Sequence, residues 1–232
     1  MVDLTVVVPV YNEEEILKKQ LETMMDDLEE MEIKYELRVV ENGSVDDTWE
    51  ILEKVRRNHP EVIKSDRLEQ ANLGPARSTG IRQAKGEFVF ISDIDYWLPE
   101  FVQSVWERRN EADYFVGIKG NEGRGMVRRC MKRIKNLVFR WMFGVPYSDI
   151  SHVLFGRTNV LKRELEQCRV NHAILILELL TRLYEQGNSF QEVPIEKPVS
   201  EIRPPRLTYF WKWWYSASEF LRLFYHLRIR EG

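Results

Sequence analysis

The chain has 232 residues, of which 44% are hydrophobic and 31% are charged, and its formal net charge is −3. This apolar content is enough to build a folded core, and a charge so close to neutral excludes a whole-molecule field that would attract nucleic acid. The two cysteines form neither a disulfide framework nor a zinc pattern, which indicates a reducing compartment. The N-terminal residues lack the features of a signal peptide and no 18-residue stretch is free of charge, so we expect neither a leader nor a transmembrane helix.

The first half of the chain alternates predicted strands and helices. The predicted strands cover 4–10, 35–41, 61–66, 87–92 and 112–118. The predicted helices cover 13–31, 49–58, 74–86 and 99–110. This alternation predicts an α/β fold with a Rossmann-like, mostly parallel sheet flanked by helices on both faces. Ligands of such sheets bind beyond the carboxyl ends of the strands, where the loops YNEEE, ENGSVDD and SDIDYW all fall.

The second half changes in character after a glycine-rich loop at 120–125. It contains predicted helices at 126–143 and 172–187 and a strand at 190–197. The helix at 126–143 has apolar residues on one face, namely Val127, Met131, Ile134, Val138 and Trp141. The other face carries Arg128, Arg129, Lys132, Arg133, Lys135 and Arg140. This pattern fits either a solvated charged face above a core stripe or a membrane contact.

The C-terminal segment is rich in aromatic and basic residues. We divide the chain into an α/β domain at 1–200 and an amphipathic helical appendage at 201–232. Apolar residues recur at helical spacing in the appendage, from Phe210 to Leu227, and Lys212 and Arg222 add positive charge. An interfacial helix in the lipid headgroup layer fits this composition, because Trp and Tyr favour that layer and cations favour anionic lipid. The alternative is a helix packed on the domain.

Two aspartates end the predicted strand in the stretch FVFISDIDYWLPEF. Asp93 and Asp95 either cap the helix that begins near Pro99 or hold a divalent metal. Carboxylate and phosphate oxygens are hard ligands that suit Mg²⁺ or Mn²⁺, and a metal at a diphosphate would stabilise that group as it leaves. The roles of Tyr96 and Trp97 stay open.

Three motifs in this order, VVVPVYNEEEIL, VVENGSVDDTWEIL and NLGPARSTGIRQAKGEFVFISDID, resemble the family 2 glycosyltransferases of GT-A fold over residues 4–117. The resemblance implies inverting, metal-dependent transfer of a sugar from a nucleotide-sugar such as GDP-mannose or a UDP-sugar. It implies that Asp93 and Asp95 hold the sugar diphosphate through Mg²⁺ or Mn²⁺ and are catalytic. The nucleotide-sugar-binding residues it implies are Pro9, Tyr11, Glu13, Glu41, Asn42, Ser44, Asp93, Ile94 and Asp95. Glu41 stands where the family usually has Asp.

The layout of the second half is similar to that of dolichyl- or polyprenyl-phosphate sugar transferases. This similarity implies a lipid-phosphate acceptor, transfer of a hexose such as mannose or glucose, and a peripheral location on the cytoplasmic face of a membrane. Asp149 is a further catalytic candidate. The candidates for the acceptor phosphate are Lys119, Arg124, Arg128, Arg203 and Arg206.

Two other functions remain open. A transferase acting on a sugar hydroxyl would need a general base, for which Asp149 and Glu178 are candidates. The chain could also be a catalytically weak accessory protein that binds nucleotide-sugars. A NAD-binding or P-loop domain is disfavoured, because neither glycine-rich fingerprint occurs.

Overall fold

The computed structural model describes residues 2–119, 126–149, 153–172 and 174–195, together with Phe224; side chains are described for all of these except 119, 126–132 and 135. The strands are β1 Leu4–Val10, β2 Tyr35–Asn42, β3 Ile63–Leu68, β4 Phe88–Ile91, β5 Tyr114–Lys119, β6 Leu154–Arg157 and β7 Phe190–Ile195. The helices are α1 Leu17–Glu30, α2 Thr48–Asn58, α3 Leu73–Gln83, α4 Pro99–Glu107, α5 Met126–Phe143, α6 Thr158–Gln167 and α7 Leu175–Glu185.

The described strands form one sheet in the order β3-β2-β1-β4-β6-β5-β7. Among them only β6 runs antiparallel, against both β4 and β5. The predicted α/β fold with a mostly parallel sheet is therefore confirmed. The chain moves from β1 outward to β2 and β3 and then crosses to β4 on the other side of β1. This reversal makes the carboxyl ends of β1 and β4 the switch point at which such sheets bind ligands.

Side-chain alternation along β1 distributes the core over the two faces of the sheet. Val6 and Val8 pack in the cluster that contains the apolar residues of α1, whereas Val7 packs in the cluster with α6 and α7. Helix α3 lies very close to β1, since a Cβ placed on Gly80 would be 2.2 Å from Cγ1 of Val7. Glycine at this position therefore lets the helix approach the strand.

Helix α1 begins at Leu17, four residues later than the sequence predicts. The backbone N–H groups of Glu13 and Glu14 donate to the side chains of Thr48 and Asp46 instead of entering a helix. The acidic residues before α1 thus belong to a loop that is attached to the start of α2.

Helix α5 does not present its predicted apolar stripe to the core. Asn136, Phe139 and Phe143 are buried, whereas Ile134 and Trp141 are exposed. The interpretation of a charged face above a core stripe is therefore wrong for the described part of this helix. Two faces of α5 are apolar, and the one that packs inward is the one the sequence pattern did not single out.

No helix within the described residues is both long and apolar enough to cross a membrane. The predicted appendage at 201–232 lies outside the described residues, apart from Phe224. The ring of Phe224 meets that of Phe143 edge-on, with 6.2 Å between their centroids. The division of the chain at residue 200 stays a prediction.

Candidate active site

The loops after β1 and β2 form one hydrogen-bonded unit at the carboxyl edge of the sheet. The backbone N–H of Asn12 donates to Oγ of Ser44 at 3.0 Å, and Oδ1 of Asn12 accepts the N–H of Val45 at 3.0 Å. Asn12 has a φ of 53°, in the left-handed region that asparagine tolerates better than most residues. The convergence of these two loops, predicted from the strand order, is therefore present in the structure.

Three of the predicted nucleotide-sugar residues lie on β1 or directly after it. Pro9 is buried within the strand, Tyr11 is exposed at its end, and Glu13 is half-buried next to the start of α2. The ring of Tyr11 is therefore an exposed aromatic surface at this end of β1. Ligand contacts by these residues stay predictions.

Glu41 is fully buried, and both of its carboxylate oxygens are engaged. Oε1 accepts the backbone N–H of Ser44, and Oε2 accepts Nε of Arg67 at 3.1 Å. Arg67 in turn lies over the ring of Trp49, 5.0 Å from its centroid. These contacts assign Glu41 to ordering the loop after β2, and a direct contact with a nucleotide stays a prediction.

Asn42 is buried at the end of β2 and has a fixed amide orientation. Its Oδ1 accepts the backbone N–H of Asn72 at 2.7 Å. Because a backbone N–H can only donate, the oxygen must face Asn72, and Nδ2 is the side that remains for other contacts. Asn72 caps α3, so this bond joins the loop after β2 to the start of that helix.

Asp93 is bound by a buried arginine. Nη2 of Arg77, on α3, lies 3.0 Å from Oδ1 of Asp93; the side chain of Arg77 is 1% exposed and that of Asp93 is 41% exposed. Within the described part of the chain, Nε and Nη1 of Arg77 have no hydrogen-bond partner. Sequence reasoning missed Arg77, although an arginine inside the motif GPARSTG was the signal that could have identified it.

Asp93 and Asp95 occupy the turn that follows β4, with Ile94 buried between them. Both aspartates are half-exposed, and the N–H of Tyr96 closes the turn on the carbonyl of Asp93 at 2.9 Å. No group of three or more His, Cys, Asp or Glu side chains among the described residues could hold a metal ion by itself. Two carboxylates nevertheless suit Mg²⁺ or Mn²⁺, because these ions readily complete their coordination with water and phosphate oxygens.

Trp97, whose role the sequence left open, belongs to the core. Its ring is buried against Phe90, and its Nε1 donates to Oδ2 of Asp27 on α1 at 2.6 Å. Tyr96 is half-buried and packs against the same core cluster. Trp97 therefore anchors the aspartate turn to α1.

Asp149 lies shortly before β6, whose antiparallel direction brings it to the same edge of the sheet as the aspartate turn. Asp149 is buried and accepts a hydrogen bond from Nδ2 of Asn136, on α5, at 3.3 Å. Its neighbour Ser148 donates its N–H and hydroxyl to Glu192 of β7, at 2.6 and 2.8 Å. The loop that carries Asp149 is thus attached to α5 and to β7.

A buried, hydrogen-bonded pair of tyrosines, Tyr114 and Tyr147, holds the start of this loop against the domain. The hydroxyl of Tyr147 donates to the carbonyl of Leu180 at 2.7 Å and lies 2.6 Å from the hydroxyl of Tyr114. Burial raises the pKa of both phenols above their ordinary value. Both tyrosines therefore stay neutral and act as a fixed support.

Glu178 is fully buried and has a structural role. Its carboxylate accepts the backbone N–H groups of Arg169 and Val170, and Nε of Arg182 donates to it at 3.0 Å. A carboxylate engaged in this way, and out of contact with solvent, has no access to a substrate hydroxyl. The assignment of Glu178 as a general base is wrong.

The predicted acceptor residues are only partly described. Lys119 ends β5 and pairs with Ile195 at the end of β7, so its backbone reaches the carboxyl edge. The side chains of Lys119 and Arg128 are not described. Arg124, Arg203 and Arg206 lie outside the described residues. Their roles stay predictions.

The fold and the polar switch-point loops together define an α/β domain of the GT-A type. The sequence profile described as "Glycosyl transferase family 2" matches residues 5–168. This match covers more than half of the chain, so the chain belongs to glycosyl transferase family 2.

Curated relatives resemble the chain at modest identity. A poly(ribitol-phosphate) beta-glucosyltransferase from Bacillus spizizenii is 27% identical over 134 residues, which cover 56% of this chain and 21% of that protein. An undecaprenyl-phosphate 4-deoxy-4-formamido-L-arabinose transferase from Pseudomonas fluorescens is 27% identical over 201 residues, which cover 85% of this chain and 56% of that protein. The chain therefore matches only part of the length of these relatives.

Solved structures show the same fold. Glucosyl-3-phosphoglycerate synthase from Mycobacterium tuberculosis, in complex with UDP, has a TM-score of 0.65 and 16% identity, over 97% of this chain and 79% of that chain. TarS 1-349 from S. aureus has a TM-score of 0.58 and 24% identity, over 84% of this chain and 58% of that chain. The mycobacterial synthase has also been crystallised with Mn²⁺ and UDP-glucose.

Proposed function

We propose that the chain is an inverting glycosyltransferase that moves a hexose, mannose or glucose, from a nucleotide-sugar to a polyprenyl or dolichyl phosphate. GDP-mannose or a UDP-sugar is the donor, and Mg²⁺ or Mn²⁺ is the cofactor. The observation that carries the proposal is the aspartate turn after β4, where Asp93 is held by Arg77 at the switch point of the sheet. The predicted donor site thus has an ordered carboxylate at the position where such folds bind their ligands.

The loops after β1 and β2 support a nucleotide at the same edge. Asn12 and Ser44 join the two loops, and Glu41 and Asn42 hold the second loop by accepting the N–H groups of Ser44 and Asn72. A site ordered before the ligand arrives loses less conformational entropy on binding. In this proposal the loops hold the nucleoside, and Tyr11 supplies an exposed ring beside it.

The chemistry follows from the charges of the two substrates. An oxygen of the acceptor phosphate bonds to the anomeric carbon as the bond from that carbon to the donor diphosphate breaks. The nucleoside diphosphate leaves with the electron pair, and the configuration inverts. Asp93 and Asp95 would hold the metal, which supplies positive charge that stabilises the leaving diphosphate.

The chain's own residues orient the reactants. Arg77 fixes one oxygen of Asp93, so the carboxylate is aimed before the donor binds. A phosphate acceptor is already an anion near neutral pH and needs no general base. The predicted acceptor residues would neutralise the acceptor phosphate; they are Lys119, Arg124, Arg128, Arg203 and Arg206.

The membrane is the proposed location of the acceptor. The Pseudomonas fluorescens relative, whose name includes undecaprenyl phosphate, aligns with 85% of this chain. We place the protein peripherally on the cytoplasmic face, with the aromatic appendage at 201–232 in the headgroup layer.

A transferase acting on a sugar hydroxyl is the second candidate. Asp149 favours it, because Asn136 fixes this buried carboxylate at the same edge of the sheet. A hydroxyl acceptor needs a base, and Asp149 would then take its proton. The glucosyltransferase relative from Bacillus spizizenii is consistent with such an acceptor. The third candidate is a catalytically weak accessory protein that binds nucleotide-sugars.

A donor and acceptor panel tests the proposal. The full chain would be incubated with GDP- and UDP-sugars, and with short-chain polyprenyl phosphates or sugar-hydroxyl acceptors, and the products measured by mass spectrometry. We expect a glycosyl phosphate product that requires Mg²⁺ or Mn²⁺. A product with sugar hydroxyls alone would select the second candidate, and nucleotide-sugar binding without turnover would select the third.

Replacement of Asp95 tests the metal site directly. We expect Asp95→Ala to lose transfer while its circular dichroism spectrum and melting temperature remain close to those of the parent, because Asp95 lies half-exposed in a turn. EDTA should have the same effect on the parent, with recovery after Mg²⁺ or Mn²⁺ is added. Full activity of the variant, or of the parent in EDTA, would rule out the metal role.

A further inference from the structure

Helix α5 has an exposed apolar stripe, which we name the outer apolar face. It consists of Ile134, Leu137, Val138 and Trp141, whose exposed fractions are 55%, 66%, 43% and 83%. Their spacing of i, i+3, i+4 and i+7 places them side by side along two turns of the helix. They therefore form a contiguous surface.

The core packing of α5 is on the opposite side of the helix. Asn136, Phe139 and Phe143 are buried there, at a spacing of i, i+3 and i+7. The rings of Phe139 and Phe143 pack together with their centroids 4.6 Å apart. Within the described part of the chain, the helix is thus attached to the domain through this inner side, and the outer apolar face stays exposed.

Single exposed apolar residues are normal on protein surfaces, but a contiguous stripe is not. Leucine, isoleucine, valine and tryptophan adjoining one another expose apolar area that water disfavours. Such a stripe marks a surface that is covered by a partner.

We propose that the outer apolar face is a membrane-docking surface that lies in the headgroup layer of an anionic bilayer. Two observations select lipid as its occupant. Arg133 and Arg140 are exposed and border the stripe on one side, where they can meet anionic headgroups. Trp141 is its most exposed member, and tryptophan favours the membrane interface.

The docking surface is connected to the site through α5. Asn136, on the inner side of the helix, donates to Asp149 and to the carbonyl of Ser148. A membrane bound to α5 would therefore lie on an element that contacts the catalytic loop. This inference deepens the proposed function and rests on it for one point, that the acceptor is delivered from the bilayer.

Vesicle flotation of the full chain tests the docking surface. The variants are Leu137→Gln/Trp141→Gln and Arg133→Gln/Arg140→Gln, with vesicles of phosphatidylcholine alone or mixed with phosphatidylglycerol. We expect the first variant to bind mixed vesicles at least about tenfold less well, because it loses most of the buried apolar area. The second variant should bind mixed vesicles about tenfold less well than the parent, and its binding to neutral vesicles should change little.

Matched controls separate docking from general surface effects. Lys54→Gln/Arg57→Gln makes the same charge change on exposed residues of α2. Val45→Gln removes an exposed valine elsewhere in the chain. Both controls should bind vesicles as the parent does, and all variants should keep the parent's melting temperature.

The outcomes also separate docking from catalysis. We expect Leu137→Gln/Trp141→Gln to keep transfer to a short, water-soluble polyprenyl phosphate and to lose transfer to a long-chain acceptor in vesicles. If no polyprenyl phosphate is used but vesicle binding still depends on the stripe, the proposed function fails and docking stands. Vesicle binding unchanged by both variants would overturn the docking proposal. The docking proposal would also be overturned if a variant only dissociates a dimer in light scattering, because the occupant would then be a second copy of the chain.

Discussion

The two members of the Arg77–Asp93 ion pair should respond to substitution in opposite ways. Asp93→Ala removes the carboxylate and leaves a buried guanidinium, two of whose nitrogens already have no partner within the described part of the chain. Arg77→Met removes the buried charge and fills a similar volume. The carboxylate that it leaves behind is part-exposed and can be hydrated. We therefore expect Asp93→Ala to be much the more destabilising change.

The magnitude follows from the exposure of each partner. Breaking a buried pair so that one charge is left unpaired costs about 3–5 kcal/mol. The exposed side of Asp93 admits water to the pair, so we expect the lower end, about 3 kcal/mol, for Asp93→Ala. For a chain of this size that corresponds to a fall of roughly 6–12 °C in melting temperature. Arg77→Met should change stability by less than about 1 kcal/mol, since an apolar residue of similar size replaces an incompletely satisfied ion.

Urea unfolding of both single variants and of the double variant provides the assay. The double variant should be more stable than Asp93→Ala, because it no longer contains the unpaired guanidinium. Glu22→Ala, which breaks the exposed pair with Lys18, is the control and should have a small effect. In transfer assays Arg77→Met should need more Mg²⁺ for half-maximal rate, because Asp93 loses the hydrogen bond from Arg77.

Equal destabilisation by Arg77→Met and Asp93→Ala would refute this reasoning. A double variant no more stable than Asp93→Ala would refute it as well, because the cost would then not come from the unpaired arginine.

Two further predictions concern contacts away from the aspartate turn. Glu178→Ala should lower the free energy of unfolding in urea by about 3 kcal/mol, because the N–H groups of Arg169 and Val170 lose their acceptor. Glu178→Gln should recover part of this lost stability. A loss below about 1 kcal/mol in Glu178→Ala would contradict the structural role. Hydrogen bonds from the hydroxyl and N–H of Ser189 hold the pKa of Asp113 below its usual value. The stabilisation is full above the unfolded-state pKa of about 3.9 and is lost as the pH falls towards the lower folded-state pKa. Urea unfolding should therefore show Asp113→Asn to be less stable than the parent by about 1 kcal/mol at pH 7 and by less at pH 3; the same difference at both pH values would contradict this linkage.

The sequence predicted the parallel half of the sheet well but missed β6 and α6. Strands β1 and β4 are mostly apolar runs and β2 is a buried strand rich in apolar residues, and the observed bounds of all three lie within one residue of those predicted. Strand β6 has four residues, one of them glycine, so it has neither the length nor the alternation that identifies a strand. Its pairing with β4 and β5 depends on contacts between distant parts of the chain, which no local pattern contains.

The position of the candidate site was predictable, but the partners within it were not. Parallel strands bring their carboxyl ends to one edge, so the meeting of the first two loops follows from the order of elements. The contact of Arg77 with Asp93 depends on how α3 is rotated against the sheet. The burial of Glu178 likewise depends on the packing of α7 against the loop at 168–170.

Helix α5 shows the limit of periodicity as a guide to burial. The residues at 134, 138 and 141 and those at 136, 139 and 143 both recur at helical spacing. Periodicity indicates that each set shares a face but contains no information on which face meets the domain. Asn136 gave no signal, because a buried amide is recognised only from its partners.

Because β6 runs antiparallel to β5, the chain between these two strands leaves and re-enters the sheet at one edge. The chain leaves the sheet at the end of β5 and returns beside it, where the N–H of Gly117 bonds the carbonyl of Val153 at 3.0 Å. The two ends of this connection therefore lie next to each other on the same edge. Exchanging this connection would leave the strand order unchanged, but the new segment would have to replace the contacts of Tyr147 with Leu180 and of Ser148 with Glu192. Such a graft would transplant the helix and the Asp149 loop as one cassette while leaving the first four strands untouched.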